Sequence, residues 1–325
     1  MLKSHQGRYI SVRARKDRQE IKAQARKRFE ENRSAAVLLS VIYVLVVTSF
    51  TILESIASGS APRFVTHIIL CTGMIITWVM TTHLNGEYTR LYSGEGAKPA
   101  NLFTGFRENF LRKLGGYAWM ILLILLWAIP GAILFGIGAA TGVNIWADPF
   151  AFARASGPQI VISTLLVYGG LGLILALSGL KALTYSFTPY ILGTNPNVSA
   201  QDALRLSIRM TAGYRGDIFV MGLSFAAWFG LSMTPLMISA LIAEVSRTAG
   251  SALFSIIAGT IGSAVIYTLY VGPYMMLAQA GNFAELRDRA LHANDITPDE
   301  LWPGENRSIQ QTTPPEDQPN TPASE

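Results

Sequence analysis

The stretch Ala35-Ala-Val-Leu-Leu-Ser-Val-Ile-Tyr-Val-Leu-Val-Val-Thr-Ser-Phe-Thr-Ile-Leu-Glu-Ser-Ile56 decides the fold class. It contains a single charged residue, Glu54, and its apolar residues surround a helical axis instead of forming one stripe. A helix rises about 1.5 Å per residue, so a run of this length crosses roughly 30 Å of hydrocarbon. Five similar runs follow, at Phe64–Thr82, Tyr117–Ala139, Ile160–Leu180, Ile218–Ala243 and Ala252–Ala278. Half of the 325 residues are hydrophobic and only 14% are charged, too few to coat a soluble domain of this length. The expected fold is an all-α polytopic transmembrane helical bundle of about six spans. A basic arm covers residues 1–34, the membrane domain 35–281, and a polar, largely disordered tail 282–325.

Charge sets the orientation. The arm carries eleven Lys or Arg, the connection 83–116 five, the connection 194–217 three and the C-terminal region three. The other side carries only Arg63, Arg154 and Arg247. The positive-inside rule then puts both termini in the cytoplasm, and an even number of spans agrees in placing them on the same side. The first 34 residues lack a short apolar region with a small-residue cleavage site, so the first span is expected to serve as an uncleaved anchor.

Three polar segments have amphipathic patterns. In the arm, Ile21, Ala25 and Phe29 share one helical face, which suits a helix lying on an anionic leaflet or, alternatively, a solvated arm that only sets orientation. Phe103, Phe106, Phe110 and Leu114 would line one interfacial helix on the cytoplasmic side. Leu204, Ile208 and Thr211 would line a second, with Ser199 and Asp202 as its start signal. The fourth apolar run continues through Lys181 to Leu192, too long for one crossing. Pro189 is expected to break it and leave a short piece at the cytoplasmic surface.

Several side chains are candidates for binding. Lys181 could pair with a lipid phosphate or a substrate carboxylate, or its stem could simply snorkel to the headgroups. Tyr185 and Tyr190, with Tyr267, Tyr270 and Tyr274, could line a polar vestibule or form the interfacial aromatic belt. Arg205 and Arg209 lie one turn apart on the cytoplasmic side. Glu54 and Glu244 suit either a coupling pair or the outer headgroup layer. His67 and Cys71, the single cysteine, are two potential ligands, too few for a metal site. Ser251, Ser255, Gly259 and Ser263 recur every fourth residue, as do Ala132, Gly136 and Ala140. Such rows let helices approach closely in a bundle or a dimer face.

No phosphate-binding loop, nucleophile elbow, zinc-protease motif or dinucleotide fingerprint occurs in a suitable context. The expectation is therefore a non-enzymatic plasma-membrane protein without cofactor, metal or nucleic-acid partner. It would act through anionic lipids, a homo-oligomer or a membrane protein partner at its basic cytoplasmic face. A transporter or channel subunit is the alternative, motivated by the broken fourth helix and the prolines within spans. An intramembrane lipid-modifying enzyme is a third reading, and would need polar residues converging in one pocket.

The sequence also resembles the domain of unknown function 975 family of bacterial integral membrane proteins. The resemblance runs through Ile21-Lys-Ala-Gln-Ala-Arg-Lys-Arg-Phe29, Asn101-Leu-Phe-Thr-Gly-Phe-Arg107 and the Trp127-Ala-Ile-Pro-Gly131 region. Its most specific block is Gly179-Leu-Lys-Ala-Leu-Thr-Tyr-Ser-Phe-Thr-Pro-Tyr-Ile-Leu192 with Asn195-Pro196 and the Ser199–Met210 segment. Leu223-Ser-Phe-Ala-Ala-Trp228 and Gly272-Pro-Tyr274 complete it. The family pattern places Ile-Pro-Gly directly before Lys-Ala-Leu-x-Tyr, whereas here Ser178-Gly179 precedes Lys181 and Pro130-Gly131 lies far upstream. The resemblance implies fold and location and no particular activity.

Overall fold

The computed structural model describes residues 18–141, 157–245 and 248–303. Among them every regular element is helical. Helix α1 covers 18–31. It is followed by α2 (Arg33–Ser60), α3 (Arg63–Ser93), a 3₁₀ segment (Pro99–Phe106), α4 (Phe110–Thr141), α5 (Gly157–Tyr185) and α6 (Thr188–Thr194). Then come α7 (Ala200–Thr211), α8 (Arg215–Leu223), α9 (Ala226–Val245), α10 (Ala249–Ile266), a π turn (Tyr267–Val271), α11 (Gly272–His292) and α12 (Pro298–Leu301). Six helical stretches are long and apolar enough to cross a membrane.

The spans pair into three hairpins, α2 with α3, α4 with α5, and α9 with α10. The α4–α5 contact requires glycine. A Cβ on Gly131 would come within 2.6 Å of the Gly170 carbonyl and of the Ile174 nitrogen, so the two backbones pack without side chains between them. In the third hairpin Pro235 interrupts the α9 ladder, and the Leu236 N–H donates to Ser263 Oγ on α10 at 3.0 Å. No more than 28% of any span's apolar window is buried, so most of their surface faces outward.

The densest packing lies at the end of the bundle where α1, the 3₁₀ segment, α6, α7, α8, α11 and α12 gather. This hub buries Phe29, Tyr88, Leu102, Phe187, Ile191, Leu206, Met210, Phe225 and Phe283 in one cluster. At its centre α6 crosses α3. A Cβ on Gly193 would overlap the Thr82 carbonyl, and one on Gly86 would meet the Gly193 carbonyl at 2.7 Å.

The hub corrects several expectations. The apolar face of α1 is covered by protein, because Ile21, Ala25 and Phe29 are buried. Arg18 also pairs with Asp217 of α8 at 2.8 Å, so this helix does not offer an apolar face to a leaflet. The fourth span breaks at 186–187, just ahead of Pro189. The short helix that follows is buried in the hub instead of lying at the surface, because Thr188 through Leu192 all find protein neighbours. The segment 103–114 is two pieces, separated at Asn109, whose φ is 54°. On α7 the buried face is Ala203, Leu204, Leu206, Ser207, Met210 and Thr211, while Ile208 is 37% exposed.

The fifth span is interrupted between α8 and α9. The chain does not become irregular at Asn282, because α11 runs on to His292 and buries Phe283, Leu286 and Ala290. A capping box from Thr297 and Glu300 then starts α12. The remaining residues of the expected tail, 304–325, lie outside the described residues, as do 1–17 of the arm.

Candidate functional site

The five residues singled out for binding separate into two groups. Lys181 lies on α5 with its Nζ 4.2 Å from the centre of the Trp127 ring on α4, a cation–π contact that ties the hairpin together. Tyr185 is buried in an apolar cluster with Met120 and Leu204. Tyr190 is buried in the hub, stacked on Phe283 with ring centres 5.2 Å apart. These two tyrosines are core residues and line no vestibule. Arg205 and Arg209 do reach the surface of α7. Arg209 donates to the Glu300 carboxylate at 2.8 Å and to the Asp295 carbonyl at 3.2 Å, clamping α12 to α7. Arg205 is 73% exposed and only 3.5 Å from Asp202.

The helix-packing residues are also divided. A Cβ on Gly259 would overlap the Ser239 side chain, and Ser263 accepts the hydrogen bond from Leu236. Ser255 returns its hydroxyl to the Ser251 carbonyl at 2.6 Å. Gly136 faces open space, so the expected row Ala132, Gly136, Ala140 is not the contact. The close approach runs through Gly131, Gly138 and Gly170 instead. His67 bonds the Arg63 carbonyl, Cys71 is exposed, and no group of three metal-ligating side chains occurs among the described residues.

Sequence reading missed a buried polar frame beneath the α3–α4–α6 contact. Arg112 sits in the first turn of α4 and donates to three carbonyls, Leu192 at 2.9 Å, Asn195 at 3.0 Å and Val198 at 2.6 Å. Those carbonyls lie at and beyond the C-terminal end of α6, where the helix leaves its acceptors unpaired and its dipole favours a cation. Lys113 is 5% exposed, and its ammonium donates to His83 Nε2 at 2.6 Å and to the Glu108 carbonyl at 3.2 Å. Since the ammonium can only donate, His83 accepts as a neutral ring with its proton on Nδ1. Glu87, also 5% exposed, accepts from the Lys98 N–H and the Asn101 amide, each at 2.8 Å, at the start of the 3₁₀ segment.

The break between α5 and α6 is framed as well. Ser207 and Thr211 of α7 both donate to the Thr184 carbonyl, and Ser207 Oγ accepts from the Phe187 N–H. Apart from Arg112 Nε and Thr188 Oγ1, which are buried without a partner, these groups are spent on one another and on the chain's own carbonyls and N–H groups, so the frame positions backbone.

What remains free to meet a partner is the hub's rim. Arg33, Lys98, Arg107, Arg205 and Arg215 are exposed and come from five different parts of the chain at this end. By contrast the bases of α1 are largely matched within the helix, as in Arg26 with Glu30 and Arg28 with Glu31. Lys22 lies 4.7 Å from the Phe225 ring centre. Burial, and then the nearby charge of Arg18, lower its amine below the usual lysine range. Next to the rim, a trough of about 720 Å³ opens between α5 and α8, walled by Leu175, Leu180, Leu183 and Phe219, with Arg215 at one end.

No curated protein and no solved structure matches this chain. The family model described as protein of unknown function (DUF975) matches residues 14–290, from the arm through α11. That stretch includes every motif on which the resemblance was read, and the chain belongs to this family.

Proposed function

We propose that the protein is a non-enzymatic, multi-pass component of a bacterial plasma membrane, with both termini and the hub in the cytoplasm. There it engages the anionic lipids of the inner leaflet through its basic rim. The observation that carries this reading is the charge asymmetry of the folded chain. Exposed cations converge on the hub end from α2, the connections around the 3₁₀ segment, α7 and α8, whereas Arg63 is the basic residue described at the opposite end. Anionic headgroups attract such residues by about 1 kcal/mol each near the surface, an effect confined to a Debye length. Because the apolar face of α1 is already buried, attachment is through charge and not through insertion of that helix.

The experiment uses the full chain in bilayers of mixed anionic and zwitterionic phospholipid, with the composition of its lipid annulus measured at low and high salt. Anionic lipid should be enriched at low salt, and the enrichment should fall as salt rises. Equal partition at low salt would refute the reading. Orientation is checked by Lys98→Cys in a Cys71→Ser background. A membrane-impermeant maleimide should label it in inverted vesicles and not in intact cells.

A further inference from the structure

We infer that the trough between α5 and α8 is a discrete binding site for one anionic phospholipid, its phosphate held by Arg215 and one acyl chain lying along the trough. This deepens the reading of a rim that attracts anionic lipid and rests on it. The trough lies against two helices that belong to membrane-crossing stretches, so its mouth opens toward hydrocarbon. Leu175, Leu180 and Phe219 are each more than half exposed, and a chain laid between them meets only apolar walls. The volume, about 720 Å³, falls within the range of ordinary ligand sites.

Apolar fit alone selects nothing here, because a lipid tail leaves other tails to enter the trough and gains little by doing so. Selection has to come from the headgroup. Arg215 is exposed at the hub end of the trough, and no carboxylate among the described residues pairs with it. A guanidinium presents parallel N–H donors that match two phosphate oxygens. The floor is open for a reason visible in the sequence. Gly179 lines the trough, and a Cβ there would meet nothing within 4 Å. A second apolar trough of about 770 Å³ lies on the α9–α10 hairpin. No Lys or Arg lines it, so it offers a tail no charged anchor.

The test uses the full chain in bilayers doped with a phosphatidylglycerol bearing a photoreactive acyl chain, and a phosphatidylcholine carrying the same chain. Cross-links from the anionic probe should map to peptides of α5 and α8 in excess over α9–α10. Arg215→Gln should lower that yield about fivefold, Arg215→Lys should retain most of it, and Gly179→Leu should abolish it by filling the floor. Arg63→Gln, which removes an exposed base at the opposite end of the bundle, should leave it unchanged. Thermal unfolding of each variant separates loss of the site from loss of the fold.

The inference is overturned if both probes label α5 and α8 equally, or if Gly179→Leu leaves labelling intact in a folded protein. Anionic enrichment of the annulus that survives both folded variants would leave the rim reading standing while the labelling decides the trough. Absence of any enrichment in the unaltered protein would remove both.

Discussion

Replacing Arg112 with Met should be among the most damaging single changes in the hub. Methionine keeps the length of the apolar stem but removes all three hydrogen bonds to the carbonyls of Leu192, Asn195 and Val198. A hydrogen bond from a charged donor contributes about 1.5–3 kcal/mol, and a buried acceptor left without a partner costs about 1–3 kcal/mol. Three such terms do not add fully, since the carbonyls share one donor group and water can reach part of the site. Removing the guanidinium also relieves some desolvation cost, because its Nε is buried without a partner. The net expectation is a loss of about 3–5 kcal/mol. Arg112→Lys should lose roughly half of that, since one ammonium cannot hold three carbonyls at different angles. The assay is reversible denaturant unfolding of the detergent-solubilised protein, with hydrogen exchange on the segment between α6 and α7. A loss below about 1 kcal/mol in Arg112→Met, with exchange of that segment unchanged, would refute the view that this residue fastens the hub.

The α3–α6 crossing should be intolerant of any side chain. Gly193→Ala puts a Cβ into the Thr82 carbonyl and should lower the melting temperature by several degrees, whereas Gly136→Ala, in open space inside α4, should leave it equal or slightly higher. The Arg209–Glu300 contact predicts a pH effect of known sign. Hydrogen bonding from Arg209, and then from the Thr297 backbone, lowers the Glu300 carboxyl below its ordinary 4.5 in the folded state. Its stabilisation is therefore present above pH 4.5 and lost as pH falls through the folded value. Because both side chains are more than a third exposed, the contribution is at most about 1 kcal/mol. The stability difference between the unaltered protein and Glu300→Gln should be constant at neutral pH and vanish in acid. A difference that persists in acid would show that the contact acts without its charge.

The six spans were legible because long apolar runs have no other stable use, and the Ser199 start of α7 because a hydroxyl three residues before Asp202 satisfies a free N–H at 3.1 Å. The hub was harder to read. Ile21, Ala25 and Phe29 show which face of α1 is apolar, but spacing alone does not say whether lipid or protein covers it. Phe283, Leu286 and Ala290 form a helical stripe that was hidden among Glu285, Arg287, Asp288 and Arg289. Arg112 looked like one more base in a cytoplasmic connection. Its acceptors lie some eighty positions away in the chain, a distance that no local pattern encodes. Lys181 and Tyr185 stood out because they are unusual in apolar runs, yet the structure gives each a packing partner and leaves Arg215 at the trough.

The hairpins and the hub differ in when they can form. Gly131 meets Gly170, and Pro235 and Ser239 meet Gly259, pairings between consecutive spans that need nothing made later. The hub instead joins Ile21, near the beginning of the chain, to Phe283 and Leu301, near its end. During synthesis each hairpin can therefore close soon after its second helix emerges, while the hub stays open until α11 and α12 are complete. In the interval α1 has no cover for Ile21, Ala25 and Phe29. A ribosome stalled before Phe283 would hold a chain with its hairpins paired and its amphipathic N-terminal helix still exposed.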